Sequence, residues 1–336
     1  DITDEIFDIE FTPNRGDCLS VHGLQRDLNQ FFQIPEPRDI YEDEIPSFNF
    51  DFINTAENSC TKITFLKIEI DKKPSFYLDY LDNYFSELSV KKNNFFTDVS
   101  NYVSYETGQP THCYELSKIN QPITLNFLKN NYSFQTLLDK EIEIQKDNLV
   151  FTDKNNKVIN LAGIVGGADT ACKKETTSVL VECAYFDPEA IIGNSVKYGI
   201  NSDAAYKFER NVDINSHEYV VRRFLKIIQD HSNIESVEIY QKSFEDPQKK
   251  LIPFDLNGIN KILGTSIDED VCVRYLENFG FKVTDNFITV PSYRNDVISK
   301  NDIAEEIARA IGYDNINTED FSISIDRDLK VNRDEQ

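Results

Sequence analysis

Residues 161–167 read Leu161-Ala162-Gly163-Ile164-Val165-Gly166-Gly167. Small residues here let a ligand approach the backbone closely. The G-x-G-x-x-G spacing of a dinucleotide loop is missing, so the stretch does not open a nucleotide-binding fold. Its flanks, Leu149-Val150-Phe151 and Ser178-Val179-Leu180-Val181, are short and β-rich. Farther out, Ile63-Thr64-Phe65-Leu66-Lys67-Ile68-Glu69-Ile70 alternates like a strand. Phe76 to Leu88 reads as a helix, and Glu218 to Asp230 as an amphipathic helix that closes the unit. Residues 51–235 are therefore expected to form one mixed α/β domain, and the chain as a whole to be α+β.

On the N-terminal side, Ile6-Phe7-Asp8-Ile9-Glu10-Phe11 is strand-like and leads into a turn at Pro13-Asn14-Arg15-Gly16. A helix is expected from about Val21 to Phe32, with Ser20 as N-cap and Leu24, Leu28, Phe31 and Phe32 on its apolar face. The polar, proline-bearing stretch from Pro35 to Pro46 reads as a linker, so 1–50 would be the end of a preceding module plus that linker. On the C-terminal side, 236–320 reads as a smaller unit. Ser266 and Glu269 suggest a capping box ahead of a helix that stops at Gly280. Short strands are expected at Phe281–Val283 and Phe287–Val290, then a helix from about Asp302 to Ile311 that ends at Gly312. Helices around a short hairpin suggest a winged-helix-like module, with 321–336 left as a tail.

At 336 residues the chain is long enough for two or three cores. A formal net charge of −23 argues against a general nucleic-acid binder and against DNA. No apolar stretch approaches the roughly 20 residues of a membrane span, and no signal-peptide pattern opens the chain. The six cysteines include no Cys-x-x-Cys pair, which fits free thiols in a reducing cytoplasm better than zinc or disulfides. Asp1 is not a translation start, so the chain reads as part of something longer.

Two features suggest chemistry. Glu182 sits among apolar neighbours in Val179-Leu180-Val181-Glu182-Cys183-Ala184. It is either a carboxylate on the solvent face of an alternating strand or a buried acceptor. His112 follows Gly108-Gln109-Pro110-Thr111, and an imidazole can accept a proton or orient water near neutral pH.

Four stretches in order carry a resemblance. They are Thr12-Pro13-Asn14-Arg15-Gly16-Asp17, Gly108 to His112, Leu161 to Gly167, and Ser202-Asp203-Ala204-Ala205-Tyr206-Lys207-Phe208-Glu209-Arg210. Together they resemble the β subunit of bacterial phenylalanyl-tRNA synthetase, over its B3/B4 editing domain and its B5 domain. The resemblance implies a pocket in which Glu182 reads the hydroxyl of tyrosine, and Ala162 and Gly163 line the amino-acid site. It places His112 beside the Ser100-Asn101 pair, where the family has Thr-Asn, and adds Ser202 and Ala204 to the pocket. Lys91 aligns with an arginine; lysine keeps the charge but loses the bidentate fork. Asn211 stands where glycine is usual and suits a left-handed backbone.

The chemistry is coherent. An apolar pocket built for phenylalanine cannot strongly reject an analogue that merely adds a hydroxyl. A second site that hydrogen-bonds the phenol would hold tyrosine and leave its own polar groups unpaired with phenylalanine. The implied reaction is hydrolysis of Tyr-tRNA(Phe), with water positioned by His112 and the terminal ribose.

Near the end, Asp296 is followed by Asp302, Glu305 and Glu306 in the first turns of one helix. Acidic residues are favourable at any helix N-terminus. Oxygen-only ligands also suit Mg2+, and the spacing resembles the family's magnesium-associated positions. The resemblance further implies an α-subunit partner in a heterotetramer of two α and two β subunits, which uses ATP, Mg2+, phenylalanine and tRNA(Phe). Aminoacylation would lie on the α subunit, outside this chain. Two other readings stay open: a structural module of the synthetase with editing lost, and a free-standing deacylase of mischarged tRNA.

Overall fold

Ser20 starts the first helix: its Oγ accepts the Gly23 N–H at 3.0 Å, and α1 then runs Val21–Phe32. The computed structural model describes residues 6–316 except 33, 36, 37, 246, 247 and 285. The expected tail at 321–336, with the last residues of the 236–320 unit, lies outside the described residues. Two expectations near the start change. Ile6–Phe11 pairs into no strand, and Phe7 stays 76% exposed, because alternation supplies a strand pattern but no partner edge. Phe31 and Phe32 also face outward at the open end of α1.

After α1 come β1 (Phe52–Asn54), β2 (Lys62–Ile70), α2 (Asp79–Glu87), α3 (Phe95–Thr107) and β3 (Thr111–Glu115). Six short strands follow: β4 (Ile123–Phe127), β5 (Tyr132–Gln135), β6 (Glu141–Ile144), β7 (Leu149–Thr152), β8 (Val158–Leu161) and β9 (Val165–Gly166). The chain continues through β10 (Ser178–Tyr185), α4 (Pro188–Ile191), α5 (Asn194–Tyr198), α6 (Asp203–Phe208), α7 (His217–His231) and β11 (Ile234–Ser243).

These elements form three layers. One sheet has the order β11-β2-β10-β3 and is antiparallel throughout. The other has the order β1-β4-β7-β8-β9, with β1 parallel to β4. Side chains alternate across a strand. Leu66, Ile68, Val179 and Val181 therefore pack against Leu81, Val99 and Phe224 of α2, α3 and α7. Ile63, Phe65, Leu180 and Ala184 point the other way, into a core shared with Leu125, Phe151 and Leu161 of the second sheet. β11 pairs with β2 as far as Ser243, so the layered body runs past the boundary expected at 235.

The last unit adds β12 (Leu251–Pro253), α8 (Leu256–Leu263), α9 (Glu269–Asn278), β13 (Lys282–Thr284), β14 (Phe287–Thr289) and α10 (Lys300–Ile311) around a third core. Two helices, a hairpin and a final helix give the winged-helix-like arrangement, with β12 completing a three-stranded sheet. The Ser266–Glu269 capping box does not form. Asn260 holds the preceding loop through the Ile267 N–H and the Thr265 hydroxyl, and α9 begins after Asp268 with no side-chain cap. The capping box of this unit is instead Ser299 with Asp302, at the start of α10.

α1 joins the parts. Asp27 accepts Arg15 at 2.8 Å and Arg309 of α10 at 2.6 Å. The Arg26 guanidinium lies 4.2 Å from the Tyr293 ring centroid. The stretch from Arg38 to Pro46 runs along α7, where Arg223 takes Asp39 and Arg222 takes the Tyr41 carbonyl.

Candidate functional site

In β10 the odd residues face the helices and the even ones face the second sheet, so Glu182 points between the two sheets. Its Cα lies opposite His112 on β3 and Phe65 on β2. The side of the strand that a solvent-facing glutamate would need does not exist here, and Glu182 is only 4% exposed. Tyr114 donates its hydroxyl to Glu182 Oε2 at 2.5 Å. Asn160 Nδ2 donates to the Tyr114 oxygen at 2.8 Å. Burial pushes the Glu182 carboxyl up to about 7, against the opposing pull of the Tyr114 hydrogen bond.

His112 shares a face of β3 with Tyr114 and meets it edge-on, ring centroids 4.4 Å apart. Gly166 makes room for it: a Cβ there would sit 2.2 Å from His112 Cε1. His112 Nε2 is buried with no hydrogen-bond partner among the described residues. Burial lowers the imidazole to about 4, so the ring is neutral at physiological pH. Gly163 holds φ +69°, and a Cβ there would lie 2.8 Å from Ile191 Cδ1. Both the backbone and the packing require glycine at that position.

The site has two compartments. An outer groove of about 650 Å3 is lined by Ser100, Asn101, Thr111, His112, Ser202 and Ala204. An inner pocket of about 50 Å3 reaches Glu182, Asn160 and Gly163, and shares His112, Ile164, Val165 and Ala204 with the groove. Ser100 Oγ bonds the Thr111 carbonyl and hydroxyl, each at 2.7 Å. Ser202 caps α6 through the Ala205 N–H and donates to the Ile164 carbonyl at 2.8 Å, which fixes the glycine loop against the groove.

Two expected residues lie elsewhere. Ala162 is in the inter-sheet core and lines neither compartment. Lys91 is exposed and lines neither. Tyr114 and Asn160 were not foreseen. Tyr114 was accessible to sequence reasoning, since it follows His112 by two positions on a strand and so shares its face. Asn160 had no such signal. Asn211 does hold a left-handed φ of +69°.

The four carboxylates of the last unit do not converge. Asp296 takes Arg294 at 2.9 and 3.0 Å. Burial alone would raise the Asp296 carboxyl, but Arg294 outweighs it and holds it below the usual carboxylate value. Glu306 is filled by Arg294, with Arg309 adding a third bond at 2.7 Å. Asp302 Oδ2 accepts the Ile298 and Ser299 N–H groups, and Glu305 faces solvent. Among the described residues no group of three His, Cys, Asp or Glu side chains is placed to hold a metal ion. The residues as placed do not fit the magnesium site expected from their spacing, because arginine holds Asp296 and Glu306, backbone donors take Asp302 Oδ2, and Glu305 points to solvent away from them. All six cysteines are buried and unpaired. No helix among the described residues is long and apolar enough to cross a membrane.

Residues 71–233 match the B3/4 domain family and residues 252–313 the tRNA synthetase B5 domain family. The phenylalanine–tRNA ligase beta subunit of Psychrobacter arcticus is 31% identical over 94% of this chain and 40% of its own length. That of Legionella pneumophila is 32% identical over 98% of this chain and 42% of its own length. Among solved structures, an N-terminal fragment of the phenylalanyl-tRNA synthetase beta subunit from Pyrococcus horikoshii aligns over 90% of this chain and 85% of its own, at 14% identity and a TM-score of 0.45. The chain thus spans about two fifths of the length of the curated relatives it matches. With a B3/4 domain followed by a B5 domain, and this similarity along nearly all its length, the chain belongs to the phenylalanine–tRNA ligase beta-subunit family.

Proposed function

We propose that this chain is the part of a phenylalanine–tRNA ligase that hydrolyses mischarged Tyr-tRNA(Phe). It works beside an α subunit, in a heterotetramer of two α and two β subunits, where ATP and Mg2+ are used at the α subunit to attach phenylalanine. The chain alone does not aminoacylate. The observation that carries this reading is a buried carboxylate, Glu182, lining a small inner pocket that shares a neutral histidine, His112, and the Ile164–Val165 wall with a larger groove.

Tyrosine enters with its phenol toward Glu182 Oε1, the oxygen that accepts no hydrogen bond among the described residues. Phenylalanine leaves that acceptor unpaired, at about 1–3 kcal/mol or more for a charged group. The ester then lies in the groove beside His112, Ser100 and Asn101. Water bonds to the ester carbonyl carbon, the bond to the ribose oxygen breaks, and that oxygen leaves with a proton. A base with a pKa of about 4 is too weak to drive deprotonation of water, so His112 orients the water rather than stripping it. Entry requires movement: the inner pocket of about 50 Å3 is smaller than the roughly 150 Å3 of a cavity that takes benzene. Its shared wall at Ile164, Val165 and Ala204 has to open.

The same small volume, with Lys91 away from the groove, favours a second reading as a structural module with editing lost. Titration with L-tyrosine and L-phenylalanine, repeated with Glu182→Ala, separates the two. Tyrosine preference that vanishes in the variant supports editing. Equal or absent binding by the folded wild type leaves the structural role.

A further inference from the structure

Tyr114 is 1% exposed and packs in the inter-sheet core, where a phenylalanine ring would fill the same space. Its hydroxyl nevertheless sits in a chain of directed bonds, from Asn160 Nδ2 to the Tyr114 oxygen at 2.8 Å and from the Tyr114 hydroxyl to Glu182 Oε2 at 2.5 Å. Asn160 is itself buried, so the phenol has one orientation in which both bonds are made. The site that is to read a tyrosine hydroxyl thus already holds one, on the other oxygen of the same carboxylate.

Resting on the editing reading above, we propose that Tyr114 is a positioning residue for tyrosine discrimination: held by Asn160, it occupies Oε2, favours the ionised form of Glu182, and presents Oε1 as the acceptor for an incoming phenol. The physical reason is that a donor to the charged form favours that form, while burial favours the neutral acid. A hydrogen bond to an ionised oxygen is also roughly twice as strong as one between neutral groups. Nothing else nearby supplies this. Tyr114 and His112 face Glu182 from β3, and Cys60 approaches from the turn before β2. Cys113 lies on the adjoining strand β3 and Cys183 follows Glu182 on β10 itself, both on the helix-facing side. Burial raises all three thiols and lowers His112, so each is uncharged at neutral pH. Among the described residues no lysine or arginine pairs with Glu182. Without the Tyr114 hydroxyl, the balance at neutral pH would move toward the protonated acid, and an incoming phenol would more often meet an acid than a carboxylate.

The test is the pH dependence of the tyrosine-to-phenylalanine affinity ratio in the full chain, wild type against Tyr114→Phe. The ionisation of Glu182 is followed in parallel by its carboxyl 13C shift. The variant is expected to lose about tenfold or more of the tyrosine preference at neutral pH and to recover it by about pH 8.5. Phenylalanine binding should stay as it was, while the thermal melt falls modestly because Asn160 Nδ2 and Glu182 Oε2 lose a buried partner. An unchanged pH profile, or a loss that high pH does not restore, overturns the proposal. If Tyr114→Phe fails to fold, Asn160→Ala leaves the phenol in place but weakens its donation. It should move the profile the same way by a smaller amount, and no movement overturns the proposal. A wild type with no tyrosine preference removes the editing reading and this inference together. A preference in the wild type that Glu182→Gln abolishes, with Tyr114→Phe unchanged in its pH profile, leaves the reading standing and overturns the inference alone.

Discussion

Arg294 and Glu306 lie side by side in the last unit, joined by two parallel bonds of 2.7 Å, with only 2% and 4% of their side chains exposed. Breaking a buried pair by removing one partner leaves an uncompensated charge and costs about 3–5 kcal/mol. Arg294→Met should lower the stability of the α8–α10 unit by about that much, less whatever Arg309 recovers by holding Glu306. Denaturant unfolding of the variant checks the figure. A loss below about 1 kcal/mol would mean that the pair is neutral.

The same pairing bears on magnesium. A metal that binds only the folded state raises stability by RT ln(1 + [L]/Kd). Since Asp296 and Glu306 are held by Arg294, and Asp302 by backbone N–H groups, millimolar Mg2+ should leave the unfolding midpoint of this chain unmoved. A rise with Mg2+ that disappears in Asp296→Asn would show that the carboxylates exchange arginine for metal.

Glu182 makes stability depend on pH in an identifiable direction. Burial raises its carboxyl from 4.5 to about 7. Between those values the unfolded chain gives up the proton and the folded chain keeps it. The group's contribution is therefore full below pH 4.5, falls as pH rises, and is flat above 7, a change of about 3 kcal/mol. His112 and His217 act oppositely: burial lowers them to about 4 and about 3, so their contribution is full above the ordinary imidazole value and is lost as pH falls. The difference between wild type and Glu182→Gln isolates the carboxyl. It should shift toward the variant by about 3 kcal/mol across that window, read by denaturant unfolding at a series of pH values.

Gly166→Ala should cost both activity and stability. The new Cβ would stand 2.2 Å from Cε1 and 2.6 Å from Nε2 of His112, so the ring must leave its seat. A misplacement of about 1 Å in a positioning group costs on the order of 100-fold. If the chain edits as proposed, hydrolysis of Tyr-tRNA(Phe) should drop by that order, with a stability loss of about 1–3 kcal/mol. Full activity would show that His112 does not orient the water.

Local pattern carried some elements and not others. α1 was legible because a periodic apolar face begins next to a side chain that caps. The strand pattern at Ile6–Phe11 was equally clear and formed nothing, since pairing needs an edge that local sequence does not contain. The parity of β10 was readable too, but which face is interior depends on a second sheet assembled from residues 52–166, partly by the parallel β1–β4 pairing. That is why Glu182 could be read either way until the layers were known. The carboxylates show the reverse error: their spacing identifies one face of a helix start, whereas Arg294, two residues before Asp296, decides what they bind.

The clasp between Asp27 and Arg309 has a consequence for the order of folding. These residues are 282 positions apart. Closing so long a loop in an unfolded chain carries an entropic cost that grows with the logarithm of its length, and one partly buried ion pair cannot offset it. The layered body and the α8–α10 unit each have a core of their own. They shorten the effective loop as they form, so the clasp closes last. α1, packed on α3 and α9 and tied to α10 through Arg309, is then expected to dock last and to be released first.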